Sequence, residues 1–199
     1  YNQAGCLEEK ARFFEKLAEF SEATSELVNP EQFEYFSKWY HTAIRETLLT
    51  KPFFGDFVSL AKNMDPVITP AQAKQSVQLL ENLGMVKKQG SGEFKPVSLN
   101  VTKQTNFNPM HYFQYMKEMR EVGGQSLERK SKDERNFSTL GAALSRESYD
   151  IIIDDIVALR QKILSLSEQE NVKQAEGIDL GKRKVIQYVF EAFPLTKEI

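Results

Sequence analysis

The stretch ITPAQAKQSVQLLENLGMVKKQGSGEFKPVSL, residues 68–99, leaves the chain few choices. Thr69 can accept a hydrogen bond from the free N–H groups of a first helical turn, and Pro70 suits the first helical position. A helix therefore starts there. Ala73, Val77 and Leu80 recur at helical spacing as its inner face. Gln75, Gln78 and Asn82 fall on the opposite face, with Lys74 and Glu81 at one edge and Gln72 at the other. Gly84 can adopt the left-handed conformation that ends a helix. MVKKQ and EFKPVSLNV are then short enough, and apolar or β-branched enough, to be two strands, with GSG as a tight hairpin loop. Val97, Leu99 and Val101 alternate with polar residues as a half-buried strand should, and Pro96 restricts that strand to an edge.

The flanking segments extend this pattern. Leu7, Ala11, Phe14 and Ala18 predict one amphipathic helix, and Pro30 opens a second on which Phe33, Phe36, Tyr40, Ala43 and Thr47 repeat, widened by Trp39 and Ile44. Aromatics at this period read as packing. KPFFGDF breaks the second helix, and Asp56 caps a short third one through Phe57, Val58, Leu60 and Ala61. Helix, short helix, helix and hairpin in that order describe a winged helix-turn-helix. From about residue 105 the rhythm changes. A helix beginning near Pro109 carries Tyr112, Tyr115, Met116 and Met119, NFSTLGAAL reads as a strand, and Ser145 caps a long helix with Ile152, Ile156, Leu159 and Ile163 as its buried stripe. VIQYVFEAF, stopped by Pro194, is the clearest strand pattern in the chain. If those two strands pair in parallel, the crossover is right-handed. Two strands alone make a marginal sheet, so a homodimer or added strands are expected.

Charge distribution decides more than the total. The chain holds 26 basic and 28 acidic residues, a net of -2, which neither predicts nor excludes a polyanion partner. Residues 1–66 carry 7 Lys/Arg against 11 Asp/Glu, residues 67–104 carry 5 against 2, and the remainder 14 against 15. The one basic stretch is thus the helix and hairpin described first. DNA binding needs a positive surface to displace counterions and a helix whose polar side chains reach base edges. Gln72, Lys74, Gln75 and Gln78 on the helix, with Lys87, Lys88 and Lys95 on the hairpin, are the candidate residues.

Catalytic readings find little support. His41 and His111 lie in aromatic helical faces with no second His or Cys at ligand spacing, so no metal site is expected. GSGEFK lacks the flanking pattern of a phosphate-binding loop, and no G-x-S-x-G nucleophile motif occurs. Asp150 and Asp154 share a helix face beside Asp155, where a solvated surface is the better account than a cation site; RKSK and GKRK read as solvated turns. No catalytic residue and no cofactor is expected. Tyr149, Tyr188, Phe190 and Phe193 are core candidates for the C-terminal part and would line an effector site if a pocket existed there. The lone Cys6 excludes an internal disulfide and fits a reducing compartment. No apolar run approaches the roughly 18 residues that span a bilayer, and no signal-peptide pattern opens the chain. A cytoplasmic location without membrane attachment is expected.

FSKWYHTAIRETL, LENLGMVKK, DERNFSTL, YDIIIDDIVALRQKIL and VIQYVFEAFPLT together resemble an uncharacterised bacterial family, expanded into paralogues in some genomes, with a C-terminal domain of unknown function. Its members are regarded as transcriptional regulators by analogy of fold. The resemblance covers nearly the whole chain and implies no active-site residues. A further helix-turn-helix-like segment commonly precedes this part in the family, so the abrupt start YNQAGCLEEKARFF is expected to be that of a fragment.

These readings converge on a mainly α protein with small β elements (α+β): a helical support or dimerisation segment over 1–52, a winged-helix unit over 53–104 and an α-β-α-β unit over 105–199. The expected function is transcriptional regulation through DNA contact by the winged helix, with a C-terminal unit for dimerisation or sensing. The alternative is a protein-interaction or effector-sensing module whose winged helix touches no DNA.

Overall fold

The computed structural model describes residues 30–97 and 109–197, with side chains from 34 and 113 onward in those stretches. The helix expected on Leu7, Ala11, Phe14 and Ala18, Cys6, the strand residues Leu99 and Val101, and the side chains of Phe33, His111 and Tyr112 lie outside the described residues. The described residues are mainly helical with one small antiparallel sheet, and the chain divides into two compact units, Tyr1–Met119 and Arg120–Ile199.

In the first unit the order is α1 (Pro30–Ser37), α2 (Trp39–Thr50), α3 (Phe57–Lys62), α4 (Pro70–Asn82), β1 (Val86–Lys88), β2 (Phe94–Pro96) and the start of α5 (Pro109–Arg129). The helix expected to run on from Pro30 is broken at Lys38, whose φ of -135° and ψ of 130° are extended. A new helix start leaves N–H groups without intrahelical partners and a positive dipole end. The carboxylate of Glu118 on α5 meets both needs, accepting from the Trp39 N–H at 3.5 Å and lying 3.9 Å from Lys38 Nζ. The new start also sets which face is buried. His41, Ile44, Arg45 and Leu48 of α2 are buried, whereas Tyr40 and Ala43 are half-buried.

A single core joins all these elements. Tyr35, Phe36, Ile44 and Leu48 from the first two helices meet Leu60 of α3, Val77 and Leu80 of α4, and Val86 and Phe94 of the sheet. Ile44, Ala73 and Leu80 are fully removed from solvent. Each large side chain buried to this degree stabilises the fold by about 1.5–3 kcal/mol. Phe36 and Tyr115 of α5 meet edge to face at 5.7 Å, which fastens α5 to the same core.

Local signals place the ends of α3 and α4. Asp56 caps α3 by accepting from the Ser59 N–H at 3.0 Å, and those hydrogen bonds from Ser59 hold its carboxyl below the usual aspartate range. At α4, Thr69 Oγ1 accepts from the Gln72 N–H at 3.2 Å while Gln72 Oε1 accepts from the Thr69 N–H at 2.8 Å, a reciprocal capping box. The other end closes on Gly84, with φ of +67°. Gly84 N–H donates to Glu81 O and Met85 N–H to Leu80 O, both at 2.9 Å, which is the Schellman pattern with buried Met85 as its apolar contact.

The sheet follows at once. Val86 pairs with Pro96, Lys87 with Lys95 and Lys88 with Phe94. In the connecting GSG, Gly92 alone needs a positive φ, +86°, and its N–H donates to Gln89 O at 2.9 Å. A turn ended by a left-handed residue is a favoured three-residue hairpin loop. The expected inward alternation on Val97 is out of phase: Phe94 is buried and Val97 is 55% exposed. Phe94 sets the phase because its ring packs on Phe53 at 5.7 Å and its N–H donates to Phe53 O at 2.8 Å.

The second unit contains the end of α5 and a long α6 (Arg146–Ala175), capped by Ser145 as expected. Neither expected strand forms there. Residues 136–144 and 185–193 have no regular secondary structure among the described residues, so the α-β-α-β order and the parallel pairing are not realised. A strand exists only with a partner for its ladder, and the described residues supply none to either segment. The expected buried stripe is also open: Ile152 is 46% and Leu159 45% exposed, while Ile156 and Ile163 are half-buried. Tyr188 and Phe193 are exposed rather than core, and Tyr149 and Phe190 are half-buried. No helix among the described residues is long and apolar enough to cross a membrane.

Candidate nucleic-acid interface

The seven candidate residues separate into groups once the backbone is in place. On α4, Lys74, Gln75 and Gln78 are exposed and follow one another at helical spacing, with Asn82 one turn further on. Behind this stripe Ala73, Ser76, Val77 and Leu80 are buried, so the helix is held rigidly with its polar edge outward. Ser76 is small enough for α2 to approach, and its Oγ lies 2.8 Å from His41 Nδ1. His41 is 3% exposed, and burial, reinforced by the charge of Lys38, lowers its pKa to about 4. The imidazole is therefore neutral near pH 7 and belongs to the core. Tyr35 is likewise held protonated, its phenol pKa pushed up by burial.

Gln72 stands apart from the stripe. Its Oε1 accepts from both the N–H and the Oγ1 of Thr69, at 2.8 and 3.0 Å. Turning toward a base edge would break a cap whose loss costs about 1 kcal/mol. Sequence spacing put Gln72 at the edge of the polar face; the capping geometry gives it a structural task.

The hairpin lysines also divide. Side chains alternate across a strand, and paired residues share a face. Lys88 shares the inner face with its partner Phe94, over whose ring its ammonium sits 5.2 Å from the centroid. Lys87 and Lys95 stand directly opposite each other on the outer face, and both are exposed. Lys95 Nζ lies 3.3 Å from Glu93 Oε2, and Lys87 makes no ion pair among the described residues. Like charges in directly opposite strand positions destabilise a hairpin by a few tenths to about 1 kcal/mol. This pair is the densest positive feature that the fold creates from the candidates.

The acidic group on α6 has an ordinary explanation. Asp150 pairs with Arg146 at 3.1 Å, and the described residues contain no group of three or more His, Cys, Asp or Glu arranged to hold a metal.

Comparison with curated proteins and with solved structures returns no match. The model of a domain of unknown function, DUF4423, matches residues 20–176, which takes in all of the first unit's described elements and the whole of α6. By that match over most of its length, the chain belongs to the family defined by this domain.

Proposed function

We propose that residues 53–104 work as a winged helix in a transcriptional regulator, gripping DNA through the outer face of the hairpin and the exposed edge of α4. Lys87 and Lys95 would contact phosphates, releasing counterions, while Lys74, Gln75 and Gln78 enter a groove, where glutamine can pair bidentately with adenine. The second unit would then serve dimerisation or sensing. The reading rests chiefly on the Lys87–Lys95 opposition, a costly arrangement in the free protein that a polyanion would turn to advantage.

A competing reading, a partner-binding module, draws on a different observation: Phe54, Val58 and Val67 of the same unit are each more than half exposed. Fluorescence anisotropy of the full chain on genomic DNA fragments across a salt series separates the two. DNA contact predicts log-linear weakening with salt, with the slope reduced by about one to two units in Lys87→Ala/Lys95→Ala. Absence of binding at low salt, or a slope indifferent to both lysines, would remove DNA contact by the hairpin and favour the partner-binding module.

A further inference from the structure

The second unit leaves its strongest strand-forming segment, VIQYVFEAF at 185–193, outside any ladder and largely in solvent. Val185, Ile186, Tyr188, Val189 and Phe193 are exposed by 39–65%, and Leu195 beyond them by 84%. Together these side chains present on the order of 500 Å² of apolar surface, comparable to the biggest patch on an ordinary monomer. A stable association needs about 800 Å² from each partner, and the exposed Ile152 and Leu159 of α6 belong to the same unit.

The segment is also fastened at its root. Arg183 donates from Nη1 to Gln174 Oε1 at 2.6 Å and from Nη2 to Asn171 Oδ1 at 2.9 Å, while its Nε lies 3.1 Å from Glu170 Oε2. These three contacts tie the start of the segment to the last turns of α6. Further along, Glu191 is paired with Arg120. Tyr188 and Phe190 stack with rings 6° from parallel, as alternate residues on one side of an extended chain do. A fixed, apolar, strand-forming segment presented in this way is an edge waiting for a partner.

We infer that the partner is the same segment of a second copy of this chain, paired antiparallel about a two-fold axis through Val189. The sequence reads almost the same in both directions. Pairing about Val189 sets Val185 against Phe193, Ile186 against Ala192, Gln187 against Glu191 and Tyr188 against Phe190, so apolar meets apolar and polar meets polar at every position. Moving the axis by one residue toward the amino end sets Val185 against Glu191; moving it the other way sets Gln187 against Phe193 and brings Pro194 into the ladder. Only one register satisfies the whole segment, and a two-fold interface requires this self-complementarity. Ile186, Tyr188, Phe190 and Ala192 form one entirely apolar side of the resulting ribbon, available to pack on the helices, while Gln187 and Glu191 lie on the other side. The inference stands independently of DNA contact by the first unit.

Cysteine cross-linking of the full chain, in a Cys6→Ser background, tests both the dimer and its register. Sedimentation equilibrium should give twice the 22.9 kDa of one chain. Under oxidised glutathione, Val189→Cys should cross-link to itself, because the axis places the two positions within the Cα separation that a disulfide spans. Val185→Cys alone should not, since two such positions lie eight residues apart in the ladder, roughly 26 Å. A mixture of Val185→Cys and Phe193→Cys chains should cross-link again. Val189 is exposed in the single chain, and an unchanged helical circular-dichroism signal, to which the 30-residue α6 of the same unit contributes, will show that the variants fold. A monomer at all concentrations up to about 100 μM would overturn the inference and leave the segment to another partner. Self-cross-linking of Val185→Cys as fast as that of Val189→Cys would overturn the register and, with it, the strand pair.

Discussion

Lowering the pH from 7 to 4.5 should destabilise the first unit through one side chain, His41. It is buried between α2 and α4, with Nδ1 against Ser76 Oγ at 2.8 Å, and burial together with Lys38 lowers its pKa to about 4 against an ordinary 6.5. The unfolded chain therefore takes up a proton at His41 over a range in which the folded chain refuses it. Stability tied to this group is fully present above pH 6.5 and is lost as pH falls from there through 4. At 1.36 kcal/mol per pH unit the loss relative to pH 7 is about 1.2 kcal/mol at pH 5.5 and about 2.4 kcal/mol at pH 4.5. Urea denaturation at the three pH values measures it, read by Trp39, the one tryptophan in the chain, which packs against the same core. Carboxylates also titrate in this range, so the comparison that isolates His41 is with His41→Phe/Ser76→Ala, which removes the imidazole and its hydroxyl partner together. The difference between the two proteins should shrink by those amounts as the pH falls. Parallel pH profiles would refute the burial argument.

Four further substitutions probe the parts that present the candidate interface. Thr69→Ala removes the acceptor for the Gln72 N–H and should cost about 1 kcal/mol in urea denaturation, with Gln72 freed from its reciprocal bond. Gly92→Ala forces a side chain into φ of +86° and should cost about 1–2 kcal/mol, whereas Gly90→Ala, with open space at its Cβ position, should differ from wild type by under about 0.5 kcal/mol. Lys87→Gln should stabilise the hairpin by a few tenths of a kcal/mol by relieving its opposition to Lys95, an effect that shrinks in high salt; destabilisation would show that Lys87 has a partner role in the folded protein.

What the sequence disclosed divides by the range of the forces involved. Thr69, Pro70 and Gly84 bracket α4, Asp56 starts α3 and Ser145 starts α6 because capping is settled within four residues, and the structure places each helix end where those residues ask. The hairpin was legible for the same reason, since a glycine-bearing loop between two short strands needs no distant partner. Its phase was not, because Phe53, some forty residues before Phe94, decides that Phe94 rather than Val97 points inward. The break at Lys38 has the same origin: Glu118 lies 79 positions from Trp39. Gln72 looked available because helical spacing reports direction and says nothing of competing hydrogen bonds. Neither C-terminal strand forms within a single copy, since β propensity measures fitness for a pleated, half-buried surface and does not supply the neighbouring strand.

The two lysines of the hairpin carry a consequence for how stability and function are divided in this chain. Everything around them is arranged for the fold: Met85, Val86 and Phe94 are buried, Gly84 and Gly92 occupy the conformations that suit glycine, and Lys88 lies over the Phe94 ring. Against that background, Lys87 facing Lys95 is the one cross-strand pair among the described residues that works against folding, and Glu93, from the same strand end, offsets part of it. A local conflict within an otherwise consistent segment is where a functional demand is expected to lie. If an anion binds there, the repulsion in the free protein becomes part of the driving force on binding. The free hairpin and the bound one should then respond to salt in opposite directions: added salt screens the lysine repulsion and strengthens the first, while it competes for the phosphate contacts and weakens the second.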